Sequence, residues 1–412
     1  MSKKRPLQTS NSFRFTCKRI PGTLALFVSC YLLLLALHRH SSFHAQIPPH
    51  LQTTSKQETA VTQYHHNLHL SSSSRNYNAT FLENVKEDVQ LLLNPKISFL
   101  FLTRKALPLD FLWDIFFQTG VTSNFSIYVH SEPGFLLDNS TTVSPYFYGR
   151  QLNNSIKVSW GGVNMLEAEK LLLNAALEDS ANQRFVLLSE SCVPLYNFSF
   201  IYKYIMSSPR SFVDRYIQRL SANFWWYECS FKDVSAGHYS LDMLPLIAMT
   251  KWRKGSQWFT LIRNHASLVA RDTELLNVFR KYCKQIPRPG TGTFLGDEHY
   301  VPTLFAVKEV EKELERRTLT YTSWSGPSKH HITNTKRSPA HPDTFSFGDA
   351  DPKHIRLIRA IDNIRLEAEH RTEWCHLDSI PTTCFLFARK FSTGAAMRLL
   401  TSGTFALDVT SS

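Results

Sequence analysis

Two adjacent carboxylates, Asp297 and Glu298, stand in the segment GDEH at 296–299, just before a run with helical spacing. A carboxylate in such a place can take a proton from a hydroxyl group, which is general-base chemistry. Acidic residues are also common at helix starts because the helix dipole favours them, and Pro302 marks such a start. Local sequence therefore leaves both a catalytic and a capping role open for Glu298.

A single glutamate, Glu190, follows the apolar segment RFVLLS at 184–189, and no Asp-x-Asp pair follows that segment. Magnesium keeps much of its water shell and is held by carboxylates together with phosphates, so one carboxylate makes a poor site for it. We therefore expect no metal cofactor. Glu190 is then either a ligand-binding residue or a residue that orders its loop.

Basic and aromatic residues supply further candidates. Arg389 and Lys390 follow the apolar run 384–388. They could clamp a diphosphate through charge-assisted hydrogen bonds, or form a solvated strand edge. Trp324 is flanked by polar residues in YTSWS at 321–325, which favours an exposed ring that stacks on a sugar. Core packing explains Trp225 and Trp226 at least as well as sugar binding does.

Several large classes of protein lose support. The chain has no G-x-G-x-x-G, no P-loop and no G-x-S-x-G, the usual motifs of dehydrogenases, nucleotide kinases and α/β-hydrolases. A glycoside hydrolase needs two carboxyl groups that face each other across the substrate, which is remote for chain neighbours such as Asp297 and Glu298. Basic residues beyond the N-terminus are scattered, so we expect no nucleic acid partner.

The elements that must position these residues alternate along the chain. The predicted strands are 96–103, 125–130, 156–160 and 184–190, and the predicted helices are 109–118, 166–178 and 299–317. This alternation predicts an α/β fold with a mostly parallel, Rossmann-like sheet flanked by helices. Ligands bind at the carboxyl ends of such strands, where His130 and Glu190 stand.

The N-terminus predicts a membrane anchor. Residues 20–37 are almost purely apolar, and about 18 residues in a helix span roughly 27 Å, enough for a thin bilayer. Half of the net charge of +12 lies in residues 1–19, so the positive-inside rule leaves this tail in the cytosol. A cleaved signal peptide with a weak site near 42–45 is the alternative. Polar residues 38–93 predict a flexible stem, 94–395 the catalytic domain and 396–412 a C-terminal tail.

Downstream residues fit a lumenal location. Cys375 and Cys384 are close enough in the chain to form a disulfide, a bond typical of oxidising compartments. The sequence also contains five N-x-S/T glycosylation motifs, a number that chance alone could largely supply. These motifs begin at Asn78, Asn124, Asn139, Asn153 and Asn197.

Taken together, these segments resemble the core-2/I-branching β-1,6-N-acetylglucosaminyltransferases (glycosyltransferase family 14), particularly their plant-type branch. The similar stretches occur in family order and cover nearly all of 96–391. They are KISFLFLTR at 96–104, FSIYVHSEPGF at 125–135, VSWGGVNMLEAEKLLLNAAL at 158–177, FVLLSESCVPLYNF at 185–198, GSQWFTLIRNHASLVARD at 255–272, FLGDEHYVPTL at 294–304, TLTYTSWS at 318–325 and TEWC…CFLFARKF at 372–391.

The resemblance implies a GT-A-type fold and an inverting, metal-independent transfer from a UDP-sugar. It assigns the catalytic base to Glu298 and the diphosphate contacts to Lys390 and, with a spacing that differs from the animal enzymes, Arg371. Trp324 is similar to an aromatic residue that lines the acceptor site, where we also expect Asp297. His130 stands where animal members carry an aspartate that contacts uridine, and Glu190 is expected on the same donor side.

The predicted anchor and the resemblance together lead us to expect a Golgi-resident, single-pass type II membrane glycosyltransferase with a lumenal catalytic domain. Its expected partners are a UDP-sugar donor, carrying N-acetylglucosamine or a related sugar, and a glycan or glycoprotein acceptor. Two alternatives remain open: a catalytically silent lumenal carbohydrate-binding or scaffold protein on the same fold, and a secreted soluble form.

Overall fold

The strand Lys96–Leu102 (β1) lies between two parallel neighbours, Phe125–His130 (β2) and Asn182–Ser189 (β3). The structure, a computed structural model, describes residues 94–216, 239–283, 295–324, 342–366, 369–377 and 379–403. β1 is an almost continuous apolar run because both faces of a sheet that is covered on both sides are buried. The register pairs Leu102 with His130 and with Ser189, so the three strands end at one edge.

Three further short strands are Ser211–Phe212 (β5), Thr260–Ile262 (β6) and Leu314–Glu315 (β7). In the described part of the chain they complete a six-stranded sheet with the order β2-β1-β3-β6-β5-β7. β6 runs antiparallel to β3 and β5, whereas β5 and β7 are parallel. The sheet is therefore largely parallel, as predicted, with one antiparallel strand that the sequence patterns did not indicate.

A second sheet, of three short strands among the described residues, lies beside the first. Its middle strand, Phe387–Arg389 (β13), is antiparallel to Val193–Pro194 (β4) and parallel to Thr320–Thr322 (β8). Two hairpins follow in the C-terminal part of the chain. They pair Asn363–Leu366 (β9) with Arg371–Trp374 (β10), and His376–Leu377 (β11) with Ile380–Pro381 (β12).

Helices cover both faces of the large sheet. Successive side chains of a strand point to opposite faces, so Phe99 and Phe101 enter one core cluster while Leu100 and Leu102 enter the other. The first cluster includes residues of Asp110–Gln118 (α1), Phe198–Ser207 (α3), Pro352–Arg359 (α7) and Thr393–Thr401 (α8). The second includes residues of Val163–Leu177 (α2), Arg263–Arg271 (α4), Glu274–Tyr282 (α5) and Tyr300–Val307 (α6).

Three of the predicted elements differ from the structure. Residues 156–160 form no strand, because the chain joins the edge of β2 earlier, through the bridge of Gln151 with Val129. The helix predicted over 299–317 ends at Val307, and Glu309 follows in the left-handed region with φ 61°. Helix α8 crosses the boundary expected at 395 and buries Leu399 in the core.

Cys375 and Cys384, whose spacing allows a disulfide, are bonded, with their Cα atoms 5.3 Å apart. Among the described residues, Cys192 and Cys283 are free and buried. The predicted tail, anchor and stem, residues 1–93, lie outside the described residues. Within the described ranges, no helix is long and apolar enough to cross a bilayer.

Candidate active site

The carboxyl ends of β1 and β3 bring a basic and an acidic side chain together. Nε of Arg104 donates to Oε1 of Glu190 over 2.8 Å. The Arg104 side chain is largely exposed, whereas that of Glu190 is mostly buried. A carboxylate held in this way carries a negative charge into the edge of the sheet, where cations from other elements can gather.

The predicted basic pair stands at the end of β13. The guanidinium carbon of Arg389 lies 4.3 Å from the ring centroid of Trp258, a cation–π contact. Burial lowers the pKa of Arg389, and it also lowers the pKa of Lys390, an effect to which the Arg389 charge adds. The charge of Glu190 opposes both shifts. The pair is thus a partly desolvated cationic centre, the kind of group that binds anionic ligands strongly.

Asp297 and Glu298 lie on the single turn Gly296–Glu298, which precedes α6. Asp297 is buried, and its Oδ1 has no hydrogen-bond partner among the described residues. Burial, followed by the charge of Glu298, raises the pKa of Asp297 to about 7. The Arg389 charge lowers that pKa, and Asp297 in turn raises the pKa of Arg389, so the acidic turn and the basic pair interact electrostatically.

The Glu298 side chain is 18% exposed, and its Oε2 lies 3.1 Å from Nζ of Lys254. Beneath the turn, Oε1 of Glu169 accepts a hydrogen bond of 2.7 Å from Nε2 of Gln257. Burial raises the pKa of Glu169 well above its usual range, and the Asp297 charge adds to this shift. Three carboxyl groups, those of Asp297, Glu169 and Glu298, therefore lie close together, and Glu298 is in direct contact with a cation.

His130 lies at the end of β2, as predicted, and is almost fully buried. Its Nε2 accepts a hydrogen bond of 3.1 Å from the backbone N–H of Ile156, while Nδ1 has no partner in the described part of the chain. Burial lowers the pKa of His130. The ring is therefore neutral at physiological pH, with its proton on Nδ1, so a buried donor stands where an aspartate would place an acceptor.

Arg371, on β10, lies in an ion-pair cluster instead of standing as a free cation. Its guanidinium pairs with Glu373 and, over 3.8 Å, with Glu369. The same two carboxylates also bind Arg316. The two predicted diphosphate contacts therefore differ. Lys390 belongs to the cationic pair at the end of β13, whereas the charge of Arg371 is neutralised by carboxylates of its own hairpin.

Trp324 is exposed, as predicted, and lies two residues beyond the end of β8. The parallel register of β8 with β13 pairs Thr322 with Arg389. The strand end that carries Trp324 therefore lies beside the basic pair. Trp225 and Trp226 lie outside the described residues.

Among the predicted glycosylation positions, Asn139 and Asn153 are exposed, and Asn124 is half-buried. Asn197 is also half-buried and caps α3, where its side chain accepts a hydrogen bond from the N–H of Phe200. Asn78 lies outside the described residues. The described residues contain no group of three or more His, Cys, Asp or Glu side chains arranged to hold a metal ion.

Sequence reasoning missed Lys254, Glu169 and Trp258. Their partners stand far away in the chain, so no local pattern links them to the site. Gly255 becomes informative only in the structure, where a Cβ atom at this position would lie 1.8 Å from the backbone oxygen of Asp214. A glycine forced by such close approach marks a segment whose position matters.

Comparison with known proteins gives the class of enzyme. The chain is 44% identical over 322 residues to "Glycosyltransferase BC10" of rice (Oryza sativa subsp. japonica), a match that covers 74% of this chain and 76% of the relative. Residues 97–359 match the Core-2/I-Branching enzyme family. The protein is thus a glycosyltransferase, and it belongs to the Core-2/I-branching enzyme family.

Proposed function

We propose that this glycosyltransferase has a GT-A-type fold and transfers a sugar, N-acetylglucosamine or a related one, from a UDP-sugar to a glycan acceptor with inversion. The observation that supports the proposal most directly is that Asp297 and Arg389 each shift the pKa of the other, so the acidic turn and the end of β13 are close enough to interact. In the proposal, the turn supplies the proton acceptor and the basic pair supplies the anion-binding centre for one bound donor. The aligned ends of β1, β2 and β3 add a ligand-binding edge of the usual kind.

In the proposed reaction, Glu298 takes the proton of an acceptor hydroxyl while that oxygen attacks the anomeric carbon. The bond from this carbon to the UDP oxygen breaks on the opposite side, so the configuration inverts in one displacement. Lys390, aided by Arg389, stabilises the negative charge that grows on UDP, a role in which we expect no metal. Glu298 then gives its proton to solvent.

The remaining predicted residues have supporting roles in this proposal. His130 stands on the nucleotide side, where its buried Nδ1–H contacts the base only if a local rearrangement uncovers it, and Glu190 orders Arg104 at the donor side. Trp324 stacks on the acceptor sugar, and the buried Asp297 supports the acceptor side of the turn. Arg371 joins the diphosphate contacts only if the nucleotide displaces Glu369 and Glu373 from its guanidinium.

We also propose that the chain is a type II Golgi membrane protein with residues 94–395 in the lumen. The apolar segment 20–37 after a basic tail supports this topology. The disulfide between Cys375 and Cys384 supports an oxidising compartment.

The decisive experiment compares full-length wild-type protein with Glu298→Gln in the release of UDP from a panel of UDP-sugars. General-base catalysis contributes roughly 10²–10⁴ in rate, so we expect a loss of about that size. Binding of UDP, measured by isothermal titration, should persist because the diphosphate contacts are intact. Glu309→Gln, at an exposed position, is the matched control and should keep full activity.

Unchanged turnover in Glu298→Gln would remove this residue from the mechanism. Failure of the wild-type protein to bind UDP or any UDP-sugar in the panel would instead favour the catalytically silent scaffold.

A further inference from the structure

Residues 254–256, called the strap below, lie between the backbone that follows β5 and the acidic turn. On one side, Lys254 exchanges two backbone hydrogen bonds with Tyr216, of 2.8 and 3.1 Å. On the other side, the N–H of Gly255 donates to the backbone oxygen of Glu298 over 2.8 Å. The N–H of Ser256 donates to Oδ2 of Asp214 over 3.0 Å. The strap is therefore fixed from both sides.

The close approach at Gly255 fixes the strap further. A Cβ atom at this position would lie 1.8 Å from the backbone oxygen of Asp214, well inside any contact distance. Only glycine allows the two backbones to come so close. The Cα of Lys254 consequently has little freedom, and its side chain starts from a defined point next to the turn.

From that point the Lys254 ammonium group reaches Oε2 of Glu298 at 3.1 Å. The two side chains are 32% and 18% exposed, so water screens this pair only in part. A carboxylate in direct contact with a cation whose own backbone is fixed has a restricted orientation.

The charges around Glu298 make this contact important. Asp297 lies next to it on the turn, and Asp214 and Tyr216 face it across the strap, each with its pKa raised by burial and by the Glu298 charge. Arg316 lies near Asp214, and Arg389 near Asp297. With these raised pKa values Tyr216 is neutral at physiological pH, and Asp297 and Asp214 are neutral at acid pH. Lys254, by contrast, places a positive charge in direct contact with the Glu298 carboxylate, and such a contact favours the charged form of a carboxyl group.

We propose that Lys254 is a positioning residue for the reaction: it sets a positive charge against the Glu298 carboxylate and holds that carboxylate in the orientation that accepts the proton of the acceptor hydroxyl. This inference rests on the proposed role of Glu298 as the base.

The test uses the full-length protein and the dependence of kcat/KM on pH for release of UDP. Without the cation, Lys254→Met and Lys254→Gln should move the acid limb of the profile to higher pH by about one unit. On the acid side this amounts to roughly a tenfold loss. Lys254→Arg keeps a cation and should keep the limb in place. Lys251→Met removes a lysine that is half-buried to nearly the same extent but pairs with Glu309, and it is the matched control.

A double variant separates positioning from a merely structural effect. If Lys254 acts through Glu298, Lys254→Gln should lower the residual rate of Glu298→Gln by much less than it lowers the wild-type rate. A wild-type acid limb in either neutral variant, or full additivity in the double variant, would overturn the inference. Full activity of Glu298→Gln would instead contradict the proposed base itself, so the two failures are distinguishable.

Discussion

At the scale of single residues, Asp297 and Glu298 show how chain neighbours acquire different properties. A turn of this kind has three residues per turn, so successive side chains point roughly 120° apart. One carboxyl group therefore enters the core, where burial raises the pKa of Asp297 to about 7. The other points to the strap and meets Lys254. We infer that only Glu298 is placed to meet a substrate.

The pH dependence of stability should reveal the buried member. Folded Asp297 holds its proton up to pH about 7, while the unfolded chain releases it near 3.8. The protonated form therefore stabilises the fold fully below the lower value, and this contribution is lost as the pH rises towards 7. Over this pH range the unfolding free energy of the wild type should therefore fall by about 3 kcal/mol more than that of Asp297→Asn, since each pKa unit corresponds to about 1.4 kcal/mol.

Urea unfolding at pH 4.5 and 7.5 measures this difference. Asp138→Asn is the control, because hydrogen bonds from Ser140 lower the pKa of Asp138 and keep it ionised at both values. Equal pH dependence in wild type and Asp297→Asn would show that Asp297 ionises normally in the folded protein.

At the scale of elements, short segments position several side chains of the site, whereas the long strands form the edge of the sheet on which the site lies. β8 and β13 each contain three residues, yet their register brings the chain that carries Trp324 beside Arg389. The strap has no regular structure, yet it carries Lys254. Backbone hydrogen bonds to distant segments hold both, so their stability depends on tertiary packing.

Gly255→Ala tests the strap. The added Cβ would meet the backbone of Asp214, which cannot swing aside as the end of a flexible side chain can. Overpacking of this kind typically destabilises a protein by about 1–3 kcal/mol, and displacement of the strap should also lower kcat. Urea unfolding and release of UDP measure the two effects. Gly348→Ala, whose nearest atom would be 3.8 Å away, should change neither. Wild-type stability and rate in Gly255→Ala would show that the strap is free to move.

At the scale of the whole molecule, the sheet separates two apolar clusters and leaves one edge for chemistry. Every long strand feeds both clusters, and β1, β2 and β3 end together. The exposed sequons at Asn139 and Asn153 lie outside these clusters, so glycans there would not disturb packing.

The proposed topology predicts the behaviour of the full-length protein in microsomes. It should remain in the membrane after alkaline carbonate washing, because a hydrophobic span is not released by loss of ionic contacts. Added protease should remove only the short N-terminal tail unless detergent is present, and glycosidase should lower the mass. Asn139→Gln and Asn153→Gln should each remove one glycan. Release by carbonate would favour the secreted form, and digestion of the catalytic domain without detergent would reverse the orientation.

The sequence by itself determined the long buried strands and their alternation with helices, because hydrophobic periodicity is a local signal. Cysteine spacing allowed a bond between Cys375 and Cys384, but the structure decided that these two cysteines pair. The sequence also placed His130, Glu190 and the Arg389–Lys390 pair at strand ends. Only the tertiary structure decided that residues 156–160 form no strand, that Arg371 is neutralised by Glu369 and Glu373, and that Lys254 contacts Glu298. Each of these depends on the partner that a group meets in space. The energy of an ion pair depends on the distance between the two charges and on their exposure to water, and the residues next to each group in the chain determine neither.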